Sequence, residues 1–260
     1  PNYFQFSSSQ NDGVPYMLVQ GRSQIPAYDV ANAKLIVSFG SNFLEEGYSP
    51  IYYTKLYSHH RETETRYIQI EPRLSLTASN ADRWVPIRPG TYGALALGIA
   101  YVLIREELYN KDFVKAHTFG FDQWADQNGQ KHLDFKSFVL GNYYPERVAE
   151  LTGVPSAMIL EIARELGNTR PALVIGGEGV VGNTNGTFAL MAIHSLNALL
   201  GNFERAGGLY AIDEPPFGKL PAVQEDAVAS QGSGQPRVAD PHDTSFPLTN
   251  FSIESFTKNI

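Results

Sequence analysis

The sequence has 260 residues, 43% hydrophobic and 12% aromatic, enough to bury a sizeable core and to exclude global disorder. Its net charge of −7, from 20 basic and 27 acidic side chains with His neutral, excludes the basic footprint of a nucleic-acid binder and a polybasic membrane patch. With no Cys, disulfides, thiolate nucleophiles, Cys zinc sites and Fe–S ligation by this segment are excluded as well. No apolar run of about 18 residues is present to span a bilayer, and the start at Pro1 shows no targeting signal.

Residues 1–29 read as an irregular lead-in, with Ser7-Ser8-Ser9, Asn11-Asp12-Gly13, Pro15 and Pro26. Leu35-Ile36-Val37-Ser38-Phe39, stopped by Gly40, has the pattern of a buried parallel strand. Ser49 as cap and Pro50 at the first helical position predict a helix to about Arg61. A second strand follows over 66–70 and ends at Pro72. Strand, helix and strand make one βαβ unit, which calls for a parallel sheet.

Residues 84–87 form a shorter third strand, interrupted by Pro86. After Pro89-Gly90, Thr91 can cap a helix whose apolar face (Ala94, Leu95, Leu97, Ala100, Tyr101, Ile104) runs to about Glu107. Further helices are predicted at 110–117, 145–151 and 155–166, with Asn110 as a cap and Pro155 as a first-turn proline. A buried strand is predicted at 172–175, and a long apolar helix at 187–200, stopped by Gly201-Asn202. Beyond Ile212, six prolines and Gly232-Ser233-Gly234 predict an extended arm over 213–260 with little regular structure. The fold class is α/β: a mainly parallel twisted sheet with helices on both faces and Rossmann-like topology.

The chemistry-bearing residues fall in loops at the carboxyl ends of strands, where open parallel sheets bind ligands. Gly40-Ser41-Asn42 offers close backbone approach and side-chain donors. Glu71-Pro72-Arg73 offers an acid for ribose hydroxyls and a guanidinium for phosphate, and the helix after Gly90-Thr91 offers N–H groups. These suit a nucleotide; the same residues also serve as a turn, a surface ion pair and a cap. The glycine cluster holding Gly177, Gly179 and Asn183 also follows a strand and precedes a helix, either as a second ligand-approach loop or as a connector. The six His residues show no metal-ligand spacing, and His194 reads as a packed core histidine. No residue stands out as a catalytic acid, base or nucleophile.

The strand and loop from Ala33 to Asn42 resemble those of the molybdopterin oxidoreductases of the dimethyl sulfoxide reductase superfamily. So do Ile68-Gln69-Ile70-Glu71-Pro72-Arg73, Ala81-Asp82-Arg83-Trp84, Pro86-Ile87-Arg88-Pro89-Gly90-Thr91, Leu108-Tyr109-Asn110-Lys111-Asp112-Phe113-Val114, Leu151-Thr152-Gly153-Val154-Pro155 and Leu196-Asn197-Ala198-Leu199-Leu200-Gly201-Asn202. The resemblance covers about residues 29–210 in the family's order.

The resemblance implies a segment of a large subunit that binds molybdopterin guanine dinucleotide carrying Mo or W, with an Fe–S cluster outside this segment. Residues 30–170 would grip one dinucleotide arm, and 171–212 would be part of a neighbouring α/β domain. Gly40, Ser41 and Asn42 would meet the diphosphate, Glu71, Pro72 and Arg73 the ribose side, and Gly90 and Thr91 the base end. The implied setting is respiratory electron transfer with an Fe–S electron-transfer subunit and a membrane anchor subunit, on the periplasmic face of the cytoplasmic membrane. The segment alone would be inactive.

Two positions depart from the family pattern. The usual Asp of the second motif is Glu71, and the Asp that usually follows Pro-Gly-Thr, and holds the guanine base, is Tyr92. That second change points to the alternative of a cofactor-free structural subunit of a quinone-linked respiratory complex, such as the degenerate large subunit of an alternative complex III.

Overall fold

The computed structural model describes residues 13–46, 49–60, 62, 65–212, 218, 224 and 226–233. Ser7-Ser8-Ser9, Asn11-Asp12 and most of the arm lie outside the described residues. In chain order the elements are α1 (Val14–Gln20), β1 (Ala27–Tyr28), β2 (Leu35–Phe39), α2 (Pro50–His60), β3 (Arg66–Ile70), α3 (Leu76–Ser79), β4 (Arg83–Val85) and α4 (Tyr92–Arg105). Then come α5 (Lys111–His117), β5 (Trp124–Ala125), β6 (Lys131–His132), α6 (Phe135–Asn142), α7 (Pro145–Thr152) and α8 (Ser156–Asn168). The last are β7 (Ala172–Gly176), α9 (Glu178–Val181), α10 (Gly186–Leu200), β8 (Leu209–Tyr210) and α11 (Ala227–Ser233).

The apolar runs of β2, β3 and β7 are buried on both faces, as a parallel sheet between helices requires. The sheet has the order β4-β3-β2-β7 and every pairing is parallel. From β2 the chain steps to β3 and β4, then returns through α4 to α8 and places β7 on the other side of β2. Strand order therefore reverses at β2, which makes the carboxyl ends of β2 and β7 the switch point of the sheet.

Alternation divides the core. Leu35, Val37, Phe39, Ile68, Ile70 and Val174 face the larger cluster, filled by α4, α8 and α10. Ile36, Tyr67, Leu173 and Ile175 face a smaller one with Val30 and Phe43, against which Tyr53 and Leu56 of α2 pack. α10 lies along α4, and Gly93 lets the backbones close up: a Cβ there would stand 3.0 Å from the Ala189 Cα.

The outer edge of β7 is sealed by side chains. Asn197 of α10 donates to the Val174 carbonyl at 2.8 Å and accepts from the Val174 N–H at 3.1 Å. Asn202 donates to the Ala172 carbonyl and, at 3.1 Å, to Asn197 Oδ1. Both asparagines are buried.

Several elements differ from expectation. The lead-in contains a helix, α1, because Pro15 sits in its first turn, where a missing N–H costs nothing, and Gly21 closes it with φ 73°. The segments 30–170 and 171–212 share one sheet, since β7 pairs with β2 along its whole length. The chain divides into two units, 1–212 and 213–260. In the second unit, α11 is a short helix where only irregular chain was expected, started by Asp226, whose carboxylate accepts from the Ala229 N–H at 2.8 Å. α6 was not foreseen; Asp134 caps it by accepting from the Ser137 N–H at 2.7 Å. Thr91 does not cap α4 with its side chain; its hydroxyl donates back to the Arg88 carbonyl at 2.7 Å. Pro155 is the cap residue of α8 rather than part of its first turn, and the third strand stops at Val85, before Pro86.

Two outcomes follow from this packing. Asn197→Leu orphans the Val174 N–H and carbonyl together and should cost about 2–4 kcal/mol in denaturant unfolding. His194, buried in α10 with Nε2 3.0 Å from Gln20 Oε1 and its ring edge-on to Tyr16, has its pKa pushed down by burial to about 4. The unfolded chain takes up this proton near 6.5 and the native state only near 4. Native stability is therefore fully present above about pH 6.5 and falls as pH drops towards 4, by up to about 3 kcal/mol. His194→Gln should remove that part of the acid sensitivity, read as the stability difference between pH 7.5 and pH 4.5.

Candidate functional site

At the switch point lies a cleft of about 640 Å³. Gly40, Ser41, Asn42 and Phe43, which follow β2, form one wall, and Gly176, Gly177, Glu178 and Gly179, which follow β7, form the other. Aromatic rings of Tyr16, Tyr28, Tyr52 and Tyr53 complete it. Its volume is that of a small-molecule site.

The two turns are joined backbone to backbone. The Gly177 N–H donates to the Phe39 carbonyl and the Gly179 N–H to the Gly40 carbonyl, each at 3.0 Å. Gly40 has φ +56°, the left-handed region, and its N–H donates to the Ile70 carbonyl at 2.9 Å. A Cβ on Gly177 would stand 2.3 Å from the Ser41 Cα, so no side chain fits there. The glycines thus allow the two turns to touch, and their N–H groups are spent within the protein. Among the described residues, the N–H groups of Ser41 and Asn42 have no partner. Asn42 Oδ1 is buried without a hydrogen bond.

Beneath the Ser41 turn sits a buried polar trio that sequence reasoning did not single out. Ser38 and Gln69 are register partners in β2 and β3, both fully buried. Gln69 Nε2 and Ser38 Oγ both donate to the Ser41 carbonyl, at 3.3 and 3.4 Å. The Tyr67 hydroxyl donates to Gln69 Oε1 at 2.6 Å, and burial holds its pKa well above the usual phenol value. Fixing the carbonyl inward turns the peptide plane and leaves the neighbouring N–H groups free. The legible signal was a polar residue in each of two otherwise apolar strands.

The remaining expected residues do not line the cleft. Glu71 is buried and turned into its own loop, where its carboxylate accepts from the Ser75 N–H at 3.3 Å and from the Ser75 hydroxyl. Pro72 and Arg73 are exposed beside it. Gly90 has φ +76°, and its carbonyl accepts from Asn185 Nδ2 at 3.2 Å, which ties the loop after β4 to the start of α10. Asn183 donates to the carbonyls of Gly179 at 2.9 Å and Val180 at 3.2 Å, and so braces the second turn from behind. Tyr92 is buried below Gly40, its hydroxyl 3.1 Å from where a Cβ on Gly40 would lie. Burial first, and the Glu71 carboxylate second, push its pKa up to about 12, so it stays a neutral phenol.

The cleft's chemistry follows from its lining. No Lys or Arg lines it, while Glu46 and Glu178 do. An anionic ligand group is therefore held by the Ser41 and Asn42 N–H groups and amide rather than by a charge, at the wall away from the two carboxylates.

Gly177→Ala should separate the turns and lower stability by about 2–3 kcal/mol, because backbone meets Cβ at 2.3 Å. Gly141→Ala, within α6 and with open space around it, should be neutral or slightly stabilising. Thermal unfolding of the two variants side by side checks the difference.

A family model described as molybdopterin oxidoreductase matches residues 6–235. Dimethyl sulfoxide reductase DmsA of Escherichia coli (strain K12) is 34% identical over 239 residues, which cover 86% of this chain and 29% of that protein. The menaquinone reductase molybdopterin-binding-like subunit of Nitratidesulfovibrio vulgaris is 32% identical over 200 residues, covering 75% of this chain and 26% of that protein. Among solved structures, acetylene hydratase from Pelobacter acetylenicus superposes with a TM-score of 0.61 at 25% identity, over 76% of this chain and 25% of that one. The chain thus spans under a third of the length of these relatives. Family match, curated relatives and fold agree with the parallel sheet and its switch-point cleft, and the chain belongs to the molybdopterin oxidoreductase family.

Proposed function

We propose that this chain is the cofactor-binding segment of the large subunit of a molybdopterin-dependent oxidoreductase in respiratory electron transfer. The observation that carries the reading is the pair of turns at the switch point, which leaves the Ser41 and Asn42 N–H groups and the orphaned Asn42 Oδ1 at one cleft. These residues fit a guanine dinucleotide arm at its diphosphate, where backbone donors and an amide match phosphate oxygens and sugar hydroxyls. When bound, the group supplies two-electron redox chemistry at Mo or W, with oxygen-atom or hydride-level transfer. The chain's own part is to orient that arm: Gln69 and Ser38 fix the Ser41 carbonyl, and Asn183 and Asn185 brace the opposing turn. The Fe–S cluster, an Fe–S electron-transfer subunit, a membrane anchor subunit and a periplasmic setting belong to the same proposal. Among the described residues, no helix is long and apolar enough to cross a membrane.

A second reading, a cofactor-free structural subunit of a quinone-linked complex, is favoured by Tyr92. A buried neutral phenol stands where the family resemblance implies a carboxylate. The similarity to a molybdopterin-binding-like subunit of a menaquinone reductase points the same way.

Elemental analysis and nucleotide release separate the two. The full-length protein from cofactor-replete cells should hold Mo or W in stoichiometric amount and release guanine nucleotide on acid treatment. A correctly folded protein with neither would overturn the catalytic reading in favour of the structural one.

A further inference from the structure

We infer that Phe43, Tyr52 and Tyr53 form the subsite for a planar ring of the ligand, with Glu46 accepting from the ring's N–H edge. The inference rests on the cofactor reading above and assigns the ring to the α2 side of the cleft rather than to Gly90 and Thr91, which do not line it.

The wall is built in steps from the core outward. Tyr67 and Phe43 are buried and meet edge to face at 5.1 Å between ring centroids. Phe43 meets Tyr53 at 5.4 Å, and Tyr53 meets Tyr52 at 5.4 Å. Burial pushes the Tyr53 pKa up, and the wall stays uncharged. Tyr52, at the outer end, is 49% exposed although it lines the cleft. An anchored row of rings ending in an open one offers a stacking face for a flat heterocycle.

Charge selects which heterocycle. Glu45 and Glu46 lie one turn from Asn42, and both N–H groups donate to its carbonyl, at 2.9 and 2.7 Å. The Glu45 carboxylate is used, accepting from the Leu76 N–H at 3.2 Å. The Glu46 carboxylate lines the cleft and makes no hydrogen bond or ion pair with a described residue. A free carboxylate beside a stacking wall, with no cation in the lining, favours a ring with adjacent N–H donors. The 2-amino-4-oxopyrimidine edge shared by guanine and pterin has them; adenine presents a ring acceptor at the corresponding place and is disfavoured.

The test uses full-length protein from a host that cannot make the pterin cofactor, titrated with GDP, ADP, 6-hydroxymethylpterin and pyrophosphate. Wild type should prefer GDP or the pterin over ADP, and which of the two it takes identifies the source of the ring. Tyr52→Ala should weaken that ligand about 5- to 100-fold and leave pyrophosphate binding unchanged. Tyr52→Phe should hold affinity within about twofold, the ring being the working part. Glu46→Gln should abolish the preference over ADP. Unchanged affinity in Tyr52→Ala, with the variant's melting curve intact, overturns the subsite while leaving the cofactor reading standing. Wild type that binds none of the ring probes overturns the subsite as well, and the metal and nucleotide content of the loaded protein then judges the cofactor reading separately.

Discussion

Two backbone hydrogen bonds, from Gly177 to Phe39 and from Gly179 to Gly40, hold together the ends of strands whose connections leave in opposite directions. Everything functional here depends on that contact. Parallel strands end in a row of carbonyls that must be satisfied, and at a switch point no crossover covers them. The chain meets the requirement with glycine on both sides, since a Cβ at 177 would overlap the Ser41 backbone and one at 40 would crowd the Tyr92 phenol. The glycines are therefore packing residues first. Ligand donors come from the next two residues of the first turn, and the buried Ser38–Gln69–Tyr67 trio orients them.

Much of this was legible in the sequence because each element is locally consistent. Strand runs at 35–39, 66–70 and 172–176 are continuously apolar, Asn110 caps its helix by accepting from the Phe113 N–H, and Gly201 ends α10 in the left-handed region. What escaped was set by tertiary neighbours. Strand order does not follow from periodicity, so three loops after β2, β3 and β4 were taken to share one rim, whereas the crevice opens between β2 and β7. Glu71 has the composition of a ribose acceptor, but its loop provides Ser75 four residues on and turns the acid inward. α1 was obscured by a proline and glycines that read as loop signals yet serve as its first turn and its cap.

The cleft's electrostatics are unusual for a nucleotide site. It is lined by aromatic rings, small residues and two carboxylates, and its donors are peptide N–H groups. Such a site discriminates by shape and by the direction of each hydrogen bond rather than by long-range attraction, so its ligand affinity depends weakly on ionic strength. Tyr92 adds to this neutrality: a phenol with its pKa at about 12 brings bulk and a single hydroxyl to the floor under Gly40 and no charge.

The asparagine seal on β7 reaches beyond the stability of α10. A side-chain amide carries one donor face and one acceptor face, as a peptide does, and Asn197 presents both to Val174. That margin of the sheet therefore has no ladder left to offer a stray strand from another chain, which protects a long apolar strand from edge-to-edge aggregation. It also gives the sheet a polarity of growth. Any strand that extends it must join at β4, so the open margin of the fold lies on the side away from the cleft.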